Sequence, residues 1–313
     1  MNLLPVILNA FVPIAFVILL GVFAGRSASM PPNASVLLSR LVLDYALPAE
    51  LFNAMATISL ASMPGPAFIL ASIAGYLGMF LVAFLLALIL FKKPINASSL
   101  QALNSSFPNI AFIGIPIIIA VIGKAAIPYA VVSIIITSLV LPPIALTLLA
   151  AAAPGQAKTS TPVLILHSLW GALKQSVVWA PILGVLFALA HLHLPDFCSA
   201  SLTLIGEATT GVALFALGLL LSGQTLKISL ASLANTGFKN LLQPAAMFVI
   251  ALAFGIAGPH LREIILFAAL PTAPMTAMFA LKFNVYTAES DASILMSTVL
   301  SLLTVGALIA FTN

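Results

Sequence analysis

The sequence predicts an all-α polytopic membrane protein on three observations: 62% of its residues are hydrophobic, only 6% are charged, and its mean hydropathy is +1.24. Soluble domains carry roughly 25% charged residues. At roughly 20 apolar residues per helical span plus short loops, 313 residues hold about ten transmembrane helices. Little chain is left for a soluble domain, and the bilayer is the first partner implied. The net charge of +4 suits an orientation signal, and nucleic acid is not expected as a partner. The single cysteine, Cys198, makes no intramolecular disulfide and fits no redox or zinc motif.

The first apolar run, Leu3 to Ala24, has no basic segment before it. It is too long for the hydrophobic part of a signal peptide, so it reads as the first span. Punctuation by Gly, Pro, Ser and Lys places the spans near residues 3–25, 34–59, 65–91, 97–122 and 125–151. A linker-like segment at 152–162 follows, and five further spans fall near 164–192, 197–222, 229–257, 260–282 and 286–311. The halves are thus 1–151 and 163–313. Alternating the sides puts Arg26, Arg40, Lys92, Lys93, Lys158, Lys174, Lys227, Lys239 and Lys282 on one face and only Lys124 and Arg262 on the other. Basic residues mark the cytoplasmic side. The linker is therefore expected to be cytoplasmic and both termini outside, in a cell membrane.

The halves share a register. Leu47-Pro-Ala-Glu-Leu-Phe52 is similar to Thr210-Gly-Val-Ala-Leu-Phe215, and Phe107-Pro-Asn109 to Leu270-Pro-Thr272. Both pairs have one offset of 163 residues (210 minus 47, 270 minus 107). Five spans per half give the two copies opposite orientations, so a 5+5 inverted repeat is expected.

Spans 4 and 9 are each interrupted by proline, which offers no N–H and clashes with the preceding turn. In the first, Asn104-Ser-Ser-Phe-Pro-Asn109 sets Pro108 among two amides and two hydroxyls. In the second, Leu270-Pro-Thr-Ala-Pro-Met-Thr276 sets Pro271 and Pro274 beside Thr272 and Thr276. Freed backbone groups survive at membrane depth only where protein or a polar cavity surrounds them. A half-helix N-terminus there suits a carboxylate. Asn104, Ser105, Ser106, Pro108, Asn109, Pro271, Thr272 and Thr276 are therefore the candidate substrate-binding residues. The bland alternative is a pair of kinks repaired by neighbouring hydroxyls.

Asp44 and Glu207 also share the offset of 163 (207 minus 44). A carboxylate near a helix centre costs roughly 2.5 to 3.5 kcal/mol on insertion scales, so each needs a partner, a proton or water. For Asp44 the choice lies between a proton or cation relay and a pair with Arg40 one turn away. Lys239 is read as a partner for Glu207, an attractor of an anionic solute, or an interfacial anchor, and Gln243 as a further cation ligand. Glu50 reads as a solvated helix end. His191, His193, Asp196 and Cys198 have ligand-like types without a metal spacing, so no metal or other cofactor is expected. Gly21 and Gly25 permit close helix contact, as scaffold packing or a dimer face. No nucleotide-binding loop or hydrolase motif occurs, and the chain is not expected to be an enzyme.

As a set, Ala46–Phe52, Asn104–Pro116, Gly211–Gly218, Lys239–Pro244 and Ala269–Pro274 resemble the auxin efflux carrier family. The similarity is to its bacterial malonate-type transporters, within the larger group that includes bile acid:sodium symporters. The resemblance implies broken helices 4 and 9 crossing at Pro108 and Pro271. It also implies a scaffold of spans 1, 2, 6 and 7, a moving transport domain of spans 3–5 and 8–10, elevator-type alternating access and a homodimer. The expected function is secondary transport of a small organic anion, malonate-like or auxin-like, with possible proton coupling through Asp44 or Glu207. The alternatives are a sodium-coupled symporter using oxygens of Asn104, Asn109 and Gln243, and a membrane receptor that moves nothing.

Overall fold

The computed structural model describes residues 3–27, 29–59, 62–152, 161–223 and 228–312. Lys227 and most of the 152–162 linker, including Lys158, lie outside the described residues. All regular structure among the described residues is helical. The first half holds α1 (Leu3–Arg26), α2 (Ala34–Leu41), α3 (Leu47–Ala56), α4 (Pro66–Leu85), α5 (Ile95–Ser106), α6 (Ile115–Val121) and α7 (Ile127–Ala151). The second holds α8 (Thr161–Leu173), α9 (Ser176–Leu189), α10 (Asp196–Gly206), α11 (Ala208–Ser222), α12 (Leu230–Gly237), α13 (Gln243–Ala253), α14 (Gly258–Ala269), α15 (Met275–Phe283) and α16 (Thr287–Thr312).

Wide π-helical turns occupy Val42–Ala46, Leu86–Leu90, Ile110–Gly114 and Phe238–Leu242. Three of them end two residues before a proline: Pro48, Pro116 and Pro244. The cause is local. Proline cannot donate to the carbonyl four residues back and its ring crowds that carbonyl, so the turn before it widens instead of breaking.

Four helical stretches are long and apolar enough to cross a membrane unaided: Pro66–Leu90, Lys124–Ala151, Asp196–Ser222 and Thr287–Ile309. Counting 162–173 with 176–189 as one broken span gives a fifth. The expected spans at 97–122 and 260–282 are cut into shorter helices by the breaks after α5 and α14.

The chain divides into two compact units. One comprises Met1–Pro64, Ile110–Ile135 and Lys174–Gln224, and the other Gly65–Asn109, Ile136–Leu173 and Thr225–Asn313. In the first unit α1 packs along α11 at a seam of small residues. A methyl on Gly21 would overlap the Phe215 carbonyl, and one on Gly218 would overlap that of Ile18. Gly25 abuts Ser222, so both glycines of the Gly21/Gly25 pair serve packing within the chain. Helix α3 packs on α9, where a methyl on Gly184 would lie 2.7 Å from both Met55 Cβ and the Phe52 carbonyl. The Phe52 and Phe187 rings meet edge-on at 6.0 Å.

The second unit is organised around α5. Seven of the twelve residues of its sequence, INASSLQALNSS, are polar, yet Ser98, Ser99, Gln101, Asn104, Ser105 and Ser106 are all buried. It packs against α4 and α12, while α12 packs on α16 and α13 on both α4 and α14.

Candidate functional site

Both breaks follow from one rule. A residue before proline is driven out of the helical region by the proline ring. Phe107, before Pro108, has φ −89° and ψ 104°; Leu270, before Pro271, has φ −59° and ψ 151°. Each helix ends there, and two short extended segments result. They pair with one another: Pro108 and Thr272 form an antiparallel bridge. The Asn109 N–H donates to the Pro271 carbonyl at 2.8 Å and the Ala273 N–H to the Phe107 carbonyl at 2.9 Å. Four backbone groups of the extended segments, the Phe107 and Pro271 carbonyls and the Asn109 and Ala273 N–H groups, thereby find partners across the pair, as buried backbone polar groups require.

Side chains complete the arrangement. Asn104 is fully buried and has no spare polar atom. Its Nδ2 donates to the Leu100 carbonyl at 2.8 Å and to Ser290 Oγ at 2.9 Å, while its Oδ1 accepts from Thr276 Oγ1 at 3.0 Å. Its backbone carbonyl, deprived of a donor at Pro108, accepts from Thr272 Oγ1 at 2.8 Å. Ser105 Oγ donates to Asn235 Oδ1 at 3.3 Å, and Ser106 Oγ turns back to the Ala102 carbonyl. The Thr272 N–H donates to Ser297 Oγ at 3.0 Å, and that hydroxyl donates to Asn240 Oδ1 at 2.6 Å. All eight candidate binding residues lie in this unit, within the paired breaks and the helix ends that flank them.

Lys239 and Gln243 approach the same place from one face of the helix that follows α12. Lys239 is fully buried and its Nζ donates to the Ala268 carbonyl at 2.8 Å. Among the described residues no carboxylate contacts it, and α12 starts at Leu230 after its N-cap Ser229, which argues against the interfacial-anchor reading. Gln243 Nε2 donates to the Ser106 carbonyl at 2.8 Å, and that acceptor fixes the amide orientation. Its Oε1 is enclosed with no donor among the described residues.

Asp44 and Glu207 are not part of this cluster. Both belong to the other unit and both side chains are exposed, Asp44 on the π turn Val42–Ala46 and Glu207 where α10 passes into α11. Asp44 makes no ion pair with Arg40 among the described residues. Glu50, expected as a solvated helix end, instead has one carboxylate oxygen enclosed and packs on Gly206. No group of three or more His, Cys, Asp or Glu side chains is placed to hold a metal among the described residues.

Sequence reasoning missed the rest of the polar network. Asn235 donates to Ser293 Oγ at 2.8 Å and to the Tyr286 hydroxyl at 3.3 Å, and Tyr286 donates to Gln101 Oε1 at 3.3 Å. Tyr286 holds φ +57°, an unfavourable left-handed conformation for a bulky residue. Lys93 lies 4.5 Å over its ring, and partial burial lowers the Lys93 pKa in this loop, opposed by the Glu289 charge. A signal was present: Ser290, Ser293, Ser297 and Ser301 recur at intervals of three and four, a hydroxyl stripe along one face of α16.

Residues 6–309 match the model of the membrane transport protein family. The chain belongs to that family. It is 30% identical over 289 residues to the "Uncharacterized transporter YfdV" of Escherichia coli strain K12, covering 91% of each chain. It is 25% identical over 303 residues to the "Putative malonate transporter" of Rhizobium meliloti strain 1021, covering 95% of this chain and 93% of the other. Against "Auxin efflux carrier component 3" of Arabidopsis thaliana the identity is 29% over 147 residues, 44% of this chain and 23% of the plant protein. The protein is thus a membrane transporter of the auxin efflux carrier-like family.

Proposed function

We propose that this transporter moves a small dicarboxylate or similar organic anion across a cell membrane, binding it at the paired breaks. The observation that carries the reading is the antiparallel pairing of 107–109 with 271–273. Backbone without helical bonding, buried among amides and hydroxyls, is what a solute site at membrane depth requires. The N-terminus of α15 begins beside the second break and presents a positive dipole end that suits a carboxylate. The name of the Rhizobium relative points to the same chemistry.

In the full reading ten spans form a 5+5 inverted repeat, breaks 4 and 9 cross, both termini face outward, and one unit moves as an elevator. Asp44 and Glu207 offer protonation sites for coupling. Asn104 holds the breaks together through its bonds to Leu100, Ser290 and Thr276, and Asn109, whose N–H pairs with Pro271 in the break itself, is the residue we propose for direct contact. In proteoliposomes, Asn109→Ala lowers malonate uptake about tenfold, the loss of one hydrogen bond to a charged group. If both Asn104→Ala and Asn109→Ala, folded and purified, bind and take up malonate as the unaltered protein does, the site lies elsewhere.

A further inference from the structure

The second unit carries a groove that the paired breaks do not use. It lies among α13, α14 and α16 and has a volume of about 740 Å³. That falls within the roughly 300 to 1,000 Å³ of small-molecule sites. Leu241 and Phe248, both exposed, line it together with Leu261 and Ile265 of α14 and Leu308 of α16. Ala245 and Ala307 also line it, and their small side chains leave the space open. Among the described residues the lining has one charged side chain, Arg262, and no carboxylate.

Arg262 stands in the second turn of α14. Its Nε and Nη2 are enclosed and meet no acceptor among the described residues. The adjacent carboxylate, Glu263, is engaged with His260, whose Nδ1 lies 3.0 Å from Glu263 Oε2. The other polar side chains of the lining are engaged too. Asn240 exchanges bonds with the Ser297 carbonyl and hydroxyl, and the Thr304 hydroxyl donates to the Leu300 carbonyl at 3.3 Å. A guanidinium stays charged in a protein, and enclosed donors without acceptors are costly. Because no bond holds Nε and Nη2, the side chain can turn toward an acceptor entering the groove without breaking one. Its planar fork matches phosphate oxygens two at a time.

We infer that this groove binds a phospholipid of net negative charge, with its phosphodiester on the Arg262 guanidinium and an acyl chain along Phe248, Ile265 and Leu308. Lipid tails could fill any apolar groove, so the charge decides the occupant. A cation with no carboxylate beside it balances one phosphodiester and leaves a choline or ethanolamine ammonium without a partner. Binding here also has a structural consequence. Asn240, in the lining, accepts from the Ser297 hydroxyl, which in turn accepts from the Thr272 N–H at the second break. A filled groove therefore braces the helices that stand behind that break. The site is separate from the solute site and does not depend on which solute is carried.

The test uses the full-length protein, purified and delipidated in detergent, and reads thermal unfolding. Saturating dioleoyl phosphatidylglycerol is expected to raise the melting temperature by about 5 °C. Dioleoyl phosphatidylcholine should give less than half of that rise, and glycerol 3-phosphate or inorganic phosphate none. Arg262→Gln is expected to fold and to respond to the two lipids alike. Ala245→Trp fills the path of the acyl chain from an exposed position. It should melt near the parent without lipid and lose the rise with phosphatidylglycerol although Arg262 is intact. The inference is overturned by equal rises with the two lipids in the unaltered protein, by a preference for phosphatidylglycerol that survives Arg262→Gln, by an undiminished rise in Ala245→Trp, or by an equal rise with glycerol 3-phosphate. If Arg262→Gln does not fold, native mass spectrometry decides. Phosphatidylglycerol retained over phosphatidylcholine by the unaltered protein and not by Ala245→Trp supports the site, and equal retention removes it. A dimer that Ala307→Trp converts to a monomer, in a protein without lipid preference, gives the groove to a second copy of the chain and overturns the inference as well.

Discussion

The seam between α1 and α11 and the centre built on α5 are both helical and both buried, yet they are held by opposite means. At the seam, Gly21 and Gly218 let backbones meet with no side chain between them. Dispersion then has to do the work, because lipid removes the hydrophobic drive between helices. At the centre, α5 meets its neighbours through amides and hydroxyls, with Asn104 alone engaging α14–α16 through Thr272, Thr276 and Ser290. Close backbone packing has one good geometry and resists sliding. Hydrogen bonds among small polar side chains can be exchanged for others, including those of a solute. If a solute binds at the breaks as proposed, the seam is the fixed contact of the chain and the centre the replaceable one.

The contrast is broken most severely by Gly218→Val. Its Cβ has backbone on the far side, so neither helix can yield by a rotamer change, and overpacking of this kind costs roughly 3 kcal/mol. Thermal unfolding in detergent should show a large loss of stability. A wild-type melting curve would mean that the α1–α11 contact is not a tight one. Asn104→Leu comes next. It keeps the shape but removes the three side-chain bonds to the Leu100 carbonyl, Ser290 Oγ and Thr276 Oγ1, at a cost of roughly 2 kcal/mol. Unlike Gly218→Val, it should also alter malonate uptake in the protein that remains folded, and equal effects of the two on stability alone would erase the distinction.

The sequence makes some of this legible and hides the rest for physical reasons. The breaks are legible because proline acts on its own and the preceding residue, with no help from tertiary structure. Their partnership was visible only through the common offset that also ties Leu47–Phe52 to Thr210–Phe215. Asp44 and Glu207 show the limit: position along a helix gives depth, but not which side of the helix faces inward, and both side chains lie exposed. Glu50, six residues after Asp44, instead turns one carboxylate oxygen inward. The α16 serines went unread because a span averaged for hydropathy conceals a stripe of hydroxyls every three or four residues. Lys239 carried a clear signal, a charge in an apolar run, but its acceptor on α14 is 29 residues away and depends on the second break.

Thr272→Val is the finest probe of the replaceable contact. The substitution preserves shape and leaves the backbone N–H bonded to Ser297, removing only the hydroxyl that donates to the Asn104 carbonyl. That carbonyl is stranded by Pro108, so about 1 kcal/mol should be lost, and Thr272→Ser, which keeps the hydroxyl and drops the methyl, should recover most of it. If the valine variant is as stable as the parent while the serine variant is weaker, the methyl packing and not the hydrogen bond holds this end of α5. The centre would then be fixed by the same means as the glycine seam, and the idea that its contacts are open to exchange would lose its physical basis.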